Sequence, residues 1–91
     1  MEFRITHHSG SSAPDDALDL LWQQLDERHG NVRFAKRGAE IRAALRDDTP
    51  VSMESDEREE IGRRAVLNIV RGVCDSAPQL KLDWFAVSAL R

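Results

Sequence analysis

The fold depends on residues 31–46, which read NVRFAKRGAEIRAALR. On either side of Gly38, apolar side chains occupy alternate positions, and a period of two is typical of half-buried β-strands. Glycine adopts the positive φ of a tight hairpin turn without strain. The stretch therefore predicts a β-hairpin with strands over 31–36 and 39–46, although the helix formers at 43–45 favour a competing helical interpretation.

A further strand is predicted near each end of the sequence. Residues 2–8 alternate between apolar and polar side chains, which indicates a half-buried strand. Residues 80–88 are rich in aromatic and β-branched side chains that favour strands. In that last strand Phe85 is expected on one face, and Leu82 and Trp84 on the other.

Two helices are predicted from their end signals and apolar stripes. The first is expected from about 14 to 29, because a capping box begins at Ser12 and a stripe of period 3.6 begins at Leu18. The second is expected from a cap at Ser55 to near Asp75. Its acidic first turns and later arginines complement the helix dipole.

The order strand, helix, strand, strand, helix, strand predicts an α+β fold. In this length range the order matches the ferredoxin-like, or split βαβ, arrangement (βαββαβ). The sheet is expected to have four antiparallel strands with two helices on one face, in a single domain over 1–91. A turn at 47–50 would join the hairpin to the second helix. The opposite sheet face would then be open to a partner.

Composition and charge exclude several classes of protein. The 91 residues are 41% hydrophobic, which is enough for one core. No apolar run approaches the ~18 residues of a membrane-spanning helix. A formal net charge of -3 argues against general binding of nucleic acids through their phosphates. A single cysteine and an N-terminus without secretory features predict a cytoplasmic location.

The motifs that carry enzymatic or metal chemistry are missing from the sequence, so we expect no catalytic activity, cofactor or metal. His7 and His8 are adjacent strand residues on opposite faces and cannot easily share an ion. Cys74 comes late in a helix, where the dipole raises a thiol pKa. Neither glycine-rich phosphate motif is present.

Three surfaces are predicted to contact a protein partner or a second copy of the chain: the open sheet face, the basic hairpin and the broad apolar arc of the second helix. The residues expected to make these contacts are Trp84, Leu82, Arg33, Arg37, Arg42, Leu67 and Val70. The competing interpretations are structural. The tryptophan would pack on neighbouring strands, the arginines would form a solvated face, and the arc would pack on the sheet and the first helix.

The leading functional hypothesis is a non-catalytic protein–protein interaction or regulatory module, with a homodimer as one form. A first alternative is a module that binds single-stranded nucleic acid through the hairpin. Residues 30–34 loosely echo the aromatic strand motif of an RNA-binding domain, but the third predicted strand lacks aromatics and the chain lacks tyrosine. A second alternative is a small-molecule sensor that uses the loop His7–Ser12.

Overall fold

The computed structural model describes residues 1–46 and 55–90. Within this part of the chain there are five strands, two α-helices and one turn of 3-10 helix. In chain order they are β1 (Glu2–His7), α1 (Ala17–Gln24), β2 (Arg28–His29), β3 (Val32–Arg37), β4 (Glu40–Leu45), α2 (Ser55–Ser76), the 3-10 helix (Leu82–Trp84) and β5 (Phe85–Ala89). The turn predicted at 47–50 lies outside the described residues.

β3 and β4 form the predicted hairpin. Their register pairs Phe34 with Ala43 across the two strands. Gly38 has a φ of 57° at the first central position of the two-residue turn, the pattern of a type II′ turn. The helical interpretation of the second half is wrong, because every second side chain from Ile41 onward faces the core, as only a strand allows.

All strand pairs in the sheet are antiparallel, and the strand order is β2-β3-β4-β1-β5. This confirms an α+β class with two helices and an antiparallel sheet. The predicted four-stranded ferredoxin-like sheet is not matched in full, because β2 adds a fifth strand and alters the order across the sheet.

The first helix is shorter than predicted, and β2 takes the place of its last turn. α1 covers Ala17–Gln24 instead of 14–29, and Leu25 is already extended, with φ -80° and ψ 133°. Leu25 is also the last buried side chain of the apolar stripe. Beyond it, the extended backbone gains ladder hydrogen bonds instead, since Phe34 N donates to Glu27 O at 2.8 Å.

One buried cluster joins the helices to the inner face of the sheet. The sheet contributes Phe3, Ile5, Val32, Phe34, Ile41, Ala43 and Phe85, and the helices contribute Ala17, Leu18, Leu21, Val66, Val70 and Cys74. The strand side chains that alternate with these are partly or fully exposed. Among the described residues, nothing covers the opposite face of the sheet.

α2 spans Ser55–Ser76, close to the predicted helix from Ser55 to Asp75. Its broad apolar arc is used mainly by the core, as the structural interpretation proposed. Val66 and Val70 are fully buried. Val70, predicted as a partner contact, is therefore a core residue. Ile61 remains 51% exposed.

The last strand begins later than predicted. Leu82 and Trp84 lie in the 3-10 helix, where Trp84 N donates to Lys81 O at 3.1 Å. A 3-10 turn advances three residues per turn, so the alternation of a strand does not apply there. Both side chains are partly buried and pack against the core cluster. Their predicted place on a strand facing the open side is wrong.

Candidate anion-binding face of the sheet

The side of the sheet opposite the helices carries charged and small side chains. Residues paired in an antiparallel register share a face. Arg28 pairs with Arg33, and Arg33 pairs with Ala44. Ala44 pairs in turn with Glu2, so one row crosses four strands. We call this surface the outer sheet face, and its residues are Glu2, Arg4, Thr6, Arg28, Arg33, Ala35, Arg37, Glu40, Arg42, Ala44, Ala86 and Ser88.

The outer sheet face is basic although the chain is acidic. It carries five arginines and two glutamates, an excess of three positive charges. The whole chain has a formal net charge of -3. Positive charge is therefore concentrated on the one broad surface that the described helices leave uncovered.

The two glutamates of this face form ion pairs with Arg4 and Arg42. Glu40 Oε2 lies 3.6 Å from Arg4 Nε and 3.0 Å from Arg42 Nε. Glu2 Oε2 lies 3.9 Å from Arg42 Nη1. The acidic residues therefore neutralise the part of the face formed by β4 and β1 and leave the side formed by β2 and β3 basic.

Three arginines of the outer sheet face have no ion-pair partner in the described part of the chain. Within residues 1–46 and 55–90, no carboxylate lies at ion-pair distance from Arg28, Arg33 or Arg37. All three side chains are exposed. Exposed guanidinium groups are free to form two parallel hydrogen bonds with a carboxylate or phosphate.

A cleft of about 530 Å³ opens where the turn between β2 and β3 meets the end of β4. Arg28 and Arg33 line it together with Asn31 and Arg46, which lies just beyond β4. Arg46 N donates to Asn31 O at 3.1 Å and closes this corner of the sheet. Ala44 leaves room beside the arginines because its side chain is a single methyl group.

The predicted hairpin contacts lie together on this face. Arg33 and Arg37 are exposed, and Arg42 is partly buried by its ion pairs. Sequence reasoning missed Arg4 and Arg28. Arg28 was missed because the first helix was predicted to continue through residue 29. Arg4 lies on the polar side of the predicted first strand, so the alternation of that strand was sufficient to find it.

The remaining partly exposed candidates lie at a different cleft. Leu67, Leu82 and Trp84 line a space of about 790 Å³ with the loop that follows β1. His8 N, in that loop, donates to Trp84 O at 2.8 Å and holds the two segments together. The structure therefore divides the predicted contacts into a basic group on the outer sheet face and a second group at this cleft. We call the second site the mixed aromatic cleft, because Trp84 and Phe85 line it together with polar residues.

Cys74 and the possible metal ligands were the candidates for reactive chemistry among the described residues. Burial, and secondarily the charge of Asp75, raises the pKa of the Cys74 thiol, so the thiol stays protonated near neutral pH. In residues 1–46 and 55–90, histidine, cysteine and acidic side chains form no cluster that could hold a metal ion.

No family model, curated protein or solved structure matches the chain. Neither of the described α-helices has the length and apolar character needed to cross a membrane. The geometry and charge of the outer sheet face are therefore the observations from which a function is proposed.

Proposed function

We propose that this chain is a non-catalytic interaction module that binds an acidic segment of a partner protein through the outer sheet face. The observation that carries the proposal is the excess of three positive charges on an uncovered face of an acidic chain. Complementary charge speeds the encounter of two proteins and discriminates against wrong partners. Arginine also forms bidentate pairs with carboxylates.

The surface shape of the outer sheet face is compatible with a bound peptide in an extended conformation. Ala35 and Ala44 lie between the arginines, where they line a depression of about 180 Å³ together with Glu2. Small side chains let a peptide backbone approach the sheet closely. Arg33 and Arg37 stand at the rim of this depression, within reach of acidic side chains on such a peptide.

A protein partner is favoured over single-stranded nucleic acid because the outer sheet face contains no aromatic residue. Modules that bind single strands usually stack bases on aromatic side chains. Phe34, the aromatic of the predicted motif, is buried on the inner face. The arginines alone would bind the phosphates of a single strand, but they would provide no aromatic ring on which its bases could stack.

We extend the proposal to the fold and the location of the protein. With the two-residue β2 set aside, the order β3-β4-β1-β5 and the alternation of strands with two helices support a ferredoxin-like core with an added edge strand. A single buried cysteine supports a reducing, cytoplasmic environment.

A small-molecule sensor is the second candidate function, and the mixed aromatic cleft supports it. Its volume of about 790 Å³ falls within the usual range for ligand pockets. Trp84 supplies an apolar wall, and Ser9 and Ser11 supply hydroxyl groups. A thermal-shift screen with nucleotides and common metabolites tests it, since a true ligand should raise the melting temperature of the wild type but not of Trp84→Ala.

Fluorescence anisotropy with a labelled glutamate-rich peptide tests the leading proposal. The double variant Arg33→Glu, Arg37→Glu reverses two exposed charges on the outer sheet face, and we expect its affinity to fall by about tenfold or more. Arg71→Glu is the matched control, because Arg71 is exposed on α2, away from the sheet. It should change the affinity by less than about twofold.

Three results would contradict the proposal. The first is equal affinity for the double variant and the Arg71→Glu control. The second is tight binding of a mixed-sequence oligonucleotide with no binding of the peptide, which favours a nucleic-acid module. The third is a dimer, detected by light scattering, in which the arginines of the outer sheet face become inaccessible to an arginine-directed label. That result would favour a second copy of the chain as the occupant of the face.

A further inference from the structure

The cleft beside the turn between β2 and β3 is lined by two arginines at directly paired strand positions. Arg28 and Arg33 are direct cross-strand partners. The neighbouring rung is hydrogen-bonded, since Phe34 N donates to Glu27 O at 2.8 Å. In an antiparallel pair, hydrogen-bonded and non-hydrogen-bonded rungs alternate. The two arginines therefore occupy a non-hydrogen-bonded rung, where side chains stand closest together.

Like charges directly opposite each other destabilise a sheet. No carboxylate in the described part of the chain lies at ion-pair distance from Arg28 or Arg33, so their repulsion is not offset within it. A two-residue edge strand makes few other contacts that compensate for this cost. An anion placed between the two arginines would supply the counter-charge that the described residues do not provide.

Two further polar groups complete the cleft. The register pairs Val32 with Leu45, so the next positions outward, Asn31 and Arg46, also lie opposite each other. Arg46 N donates to Asn31 O at 3.1 Å. Both residues line the cleft, where a third guanidinium and a side-chain amide stand beside the arginine pair. Every one of these side chains can donate hydrogen bonds to an oxyanion.

We infer that this cleft binds a phosphate group, carried as a phosphorylated side chain on the acidic partner segment. Planar guanidinium groups match the geometry of phosphate oxygens and bind them in a bidentate way. A phosphate also carries nearly two negative charges near neutral pH, enough to offset both arginines of the rung. The inference rests on the proposed function, because the outer sheet face would hold the rest of the segment.

The test compares three peptides of one acidic sequence, with serine, glutamate or phosphoserine at a central position. We expect the phosphoserine peptide to bind the wild type about tenfold more tightly than the glutamate peptide. Arg28→Gln should abolish this preference, so that the affinity for the phosphoserine peptide falls by about tenfold or more, whereas the serine peptide loses only the smaller contribution of one charge on the outer sheet face. Arg37→Gln, on the same face but outside the cleft, should weaken all three peptides by a similar factor.

Inorganic phosphate is the second probe, with chloride at equal ionic strength as its control. Phosphate should raise the melting temperature of the wild type and shift the backbone amide signals of Asn31 and Arg33 in NMR spectra. The melting temperature of Arg28→Gln should not respond to phosphate. This variant should itself melt no lower than the wild type, because it removes a like-charge contact, so a folding defect is not expected to obscure the result.

The two proposals fail in different ways. If serine, glutamate and phosphoserine peptides bind with equal affinity, the phosphate site is refuted and the interaction module stands. If no peptide binds but inorganic phosphate shifts the cleft amides, the phosphate-binding cleft stands, while the partner segment and the proposed function are refuted. Amide shifts spread evenly over the surface, with no response at the cleft, would overturn the phosphate site directly.

Discussion

Replacing Gly62 with alanine should destabilise the protein, although glycine is a poor helix former. A Cβ atom at this position in α2 would lie 2.8 Å from Cε2 and Cζ of Phe3 and 3.2 Å from Sδ of Met1. Carbon atoms in proteins make favourable contact near 3.5 Å, so the ring would have to move by roughly 0.7 Å. Phe3 is fully buried in a core with little free space.

The magnitude follows from two opposing effects. Alanine in place of a helical glycine contributes about 1 kcal/mol of stability. Forcing an extra methyl group into a packed core costs about 1–3 kcal/mol. We therefore expect the free energy of unfolding of Gly62→Ala to fall by about 1 kcal/mol, which lowers the melting temperature by about 4–8 °C in a domain of this size.

Gly72→Ala is the matched control in the same helix. Gly72 is exposed, and a Cβ there would meet nothing within 4 Å. Only the helix-propensity effect remains, so the free energy of unfolding of this variant should rise by about 1 kcal/mol. The two substitutions should change the free energy of unfolding in opposite directions. This difference separates the effect of packing α2 on β1 from the effect of helix propensity.

Urea denaturation followed by far-ultraviolet circular dichroism measures both variants. The Phe3→Leu background adds a further control, because leucine lacks the ring atoms that the new methyl group would meet. In that background the cost of Gly62→Ala should shrink or reverse. Equal stabilisation by Gly62→Ala and Gly72→Ala in the wild type would refute the close approach of α2 to the Phe3 ring.

Two other predictions concern titratable groups on α2. Hydrogen bonds from Arg63, and with them Arg64, lower the pKa of Glu60 from 4.5 to about 2. Because the folded pKa is depressed, this ionised carboxylate stabilises the fold above about pH 4.5 and loses that contribution as the pH falls toward 2. Urea unfolding should therefore show wild type more stable than Glu60→Gln at neutral pH and equal to it near pH 2; a constant difference at both would contradict the pairing. Burial raises the pKa of Cys74, so a thiol reagent should label it slowly in the native protein and rapidly in urea. Fast native labelling would show that the thiol is not in the core.

The hairpin shows what a local pattern can predict. Its alternation over 31–46 repeats every two residues on both sides of Gly38, and a glycine at that position fits the turn. Turn and strands therefore indicate the same structure. α2 was equally predictable, because its apolar positions repeat every turn from Ile61 to Cys74 after an acidic first turn.

The segment after α1 shows where local patterns fail. Arg28 and His29 have no strand signal of their own, and their extended conformation depends on the hydrogen bonds that β3 offers. Trp84 belongs to a strand-like run, yet a 3-10 turn moves it against the core. For β2 the deciding contact is with β3, only a two-residue turn away, whereas for Trp84 it is the packing against core residues far away in the chain.

The same division applies to the candidate site. Alternation along the hairpin is enough to predict that Arg33, Arg37 and Arg42 lie on its polar side. It could not place Arg28 opposite Arg33, because the strand that carries Arg28 exists only through its pairing with β3. The cleft that motivates the phosphate inference was therefore not visible in the sequence.

The sequence by itself determined the α+β class, the hairpin and the long helix, because each is encoded by a repeat that a short window contains. Only the tertiary structure decided the fifth strand, the 3-10 turn and the placement of arginines from four strands on one face of the sheet. Those features depend on hydrogen bonds and packing between separate elements, such as β2 with β3 and the 3-10 turn with the core. The free energy of such contacts exceeds the weak local preferences of the residues that make them.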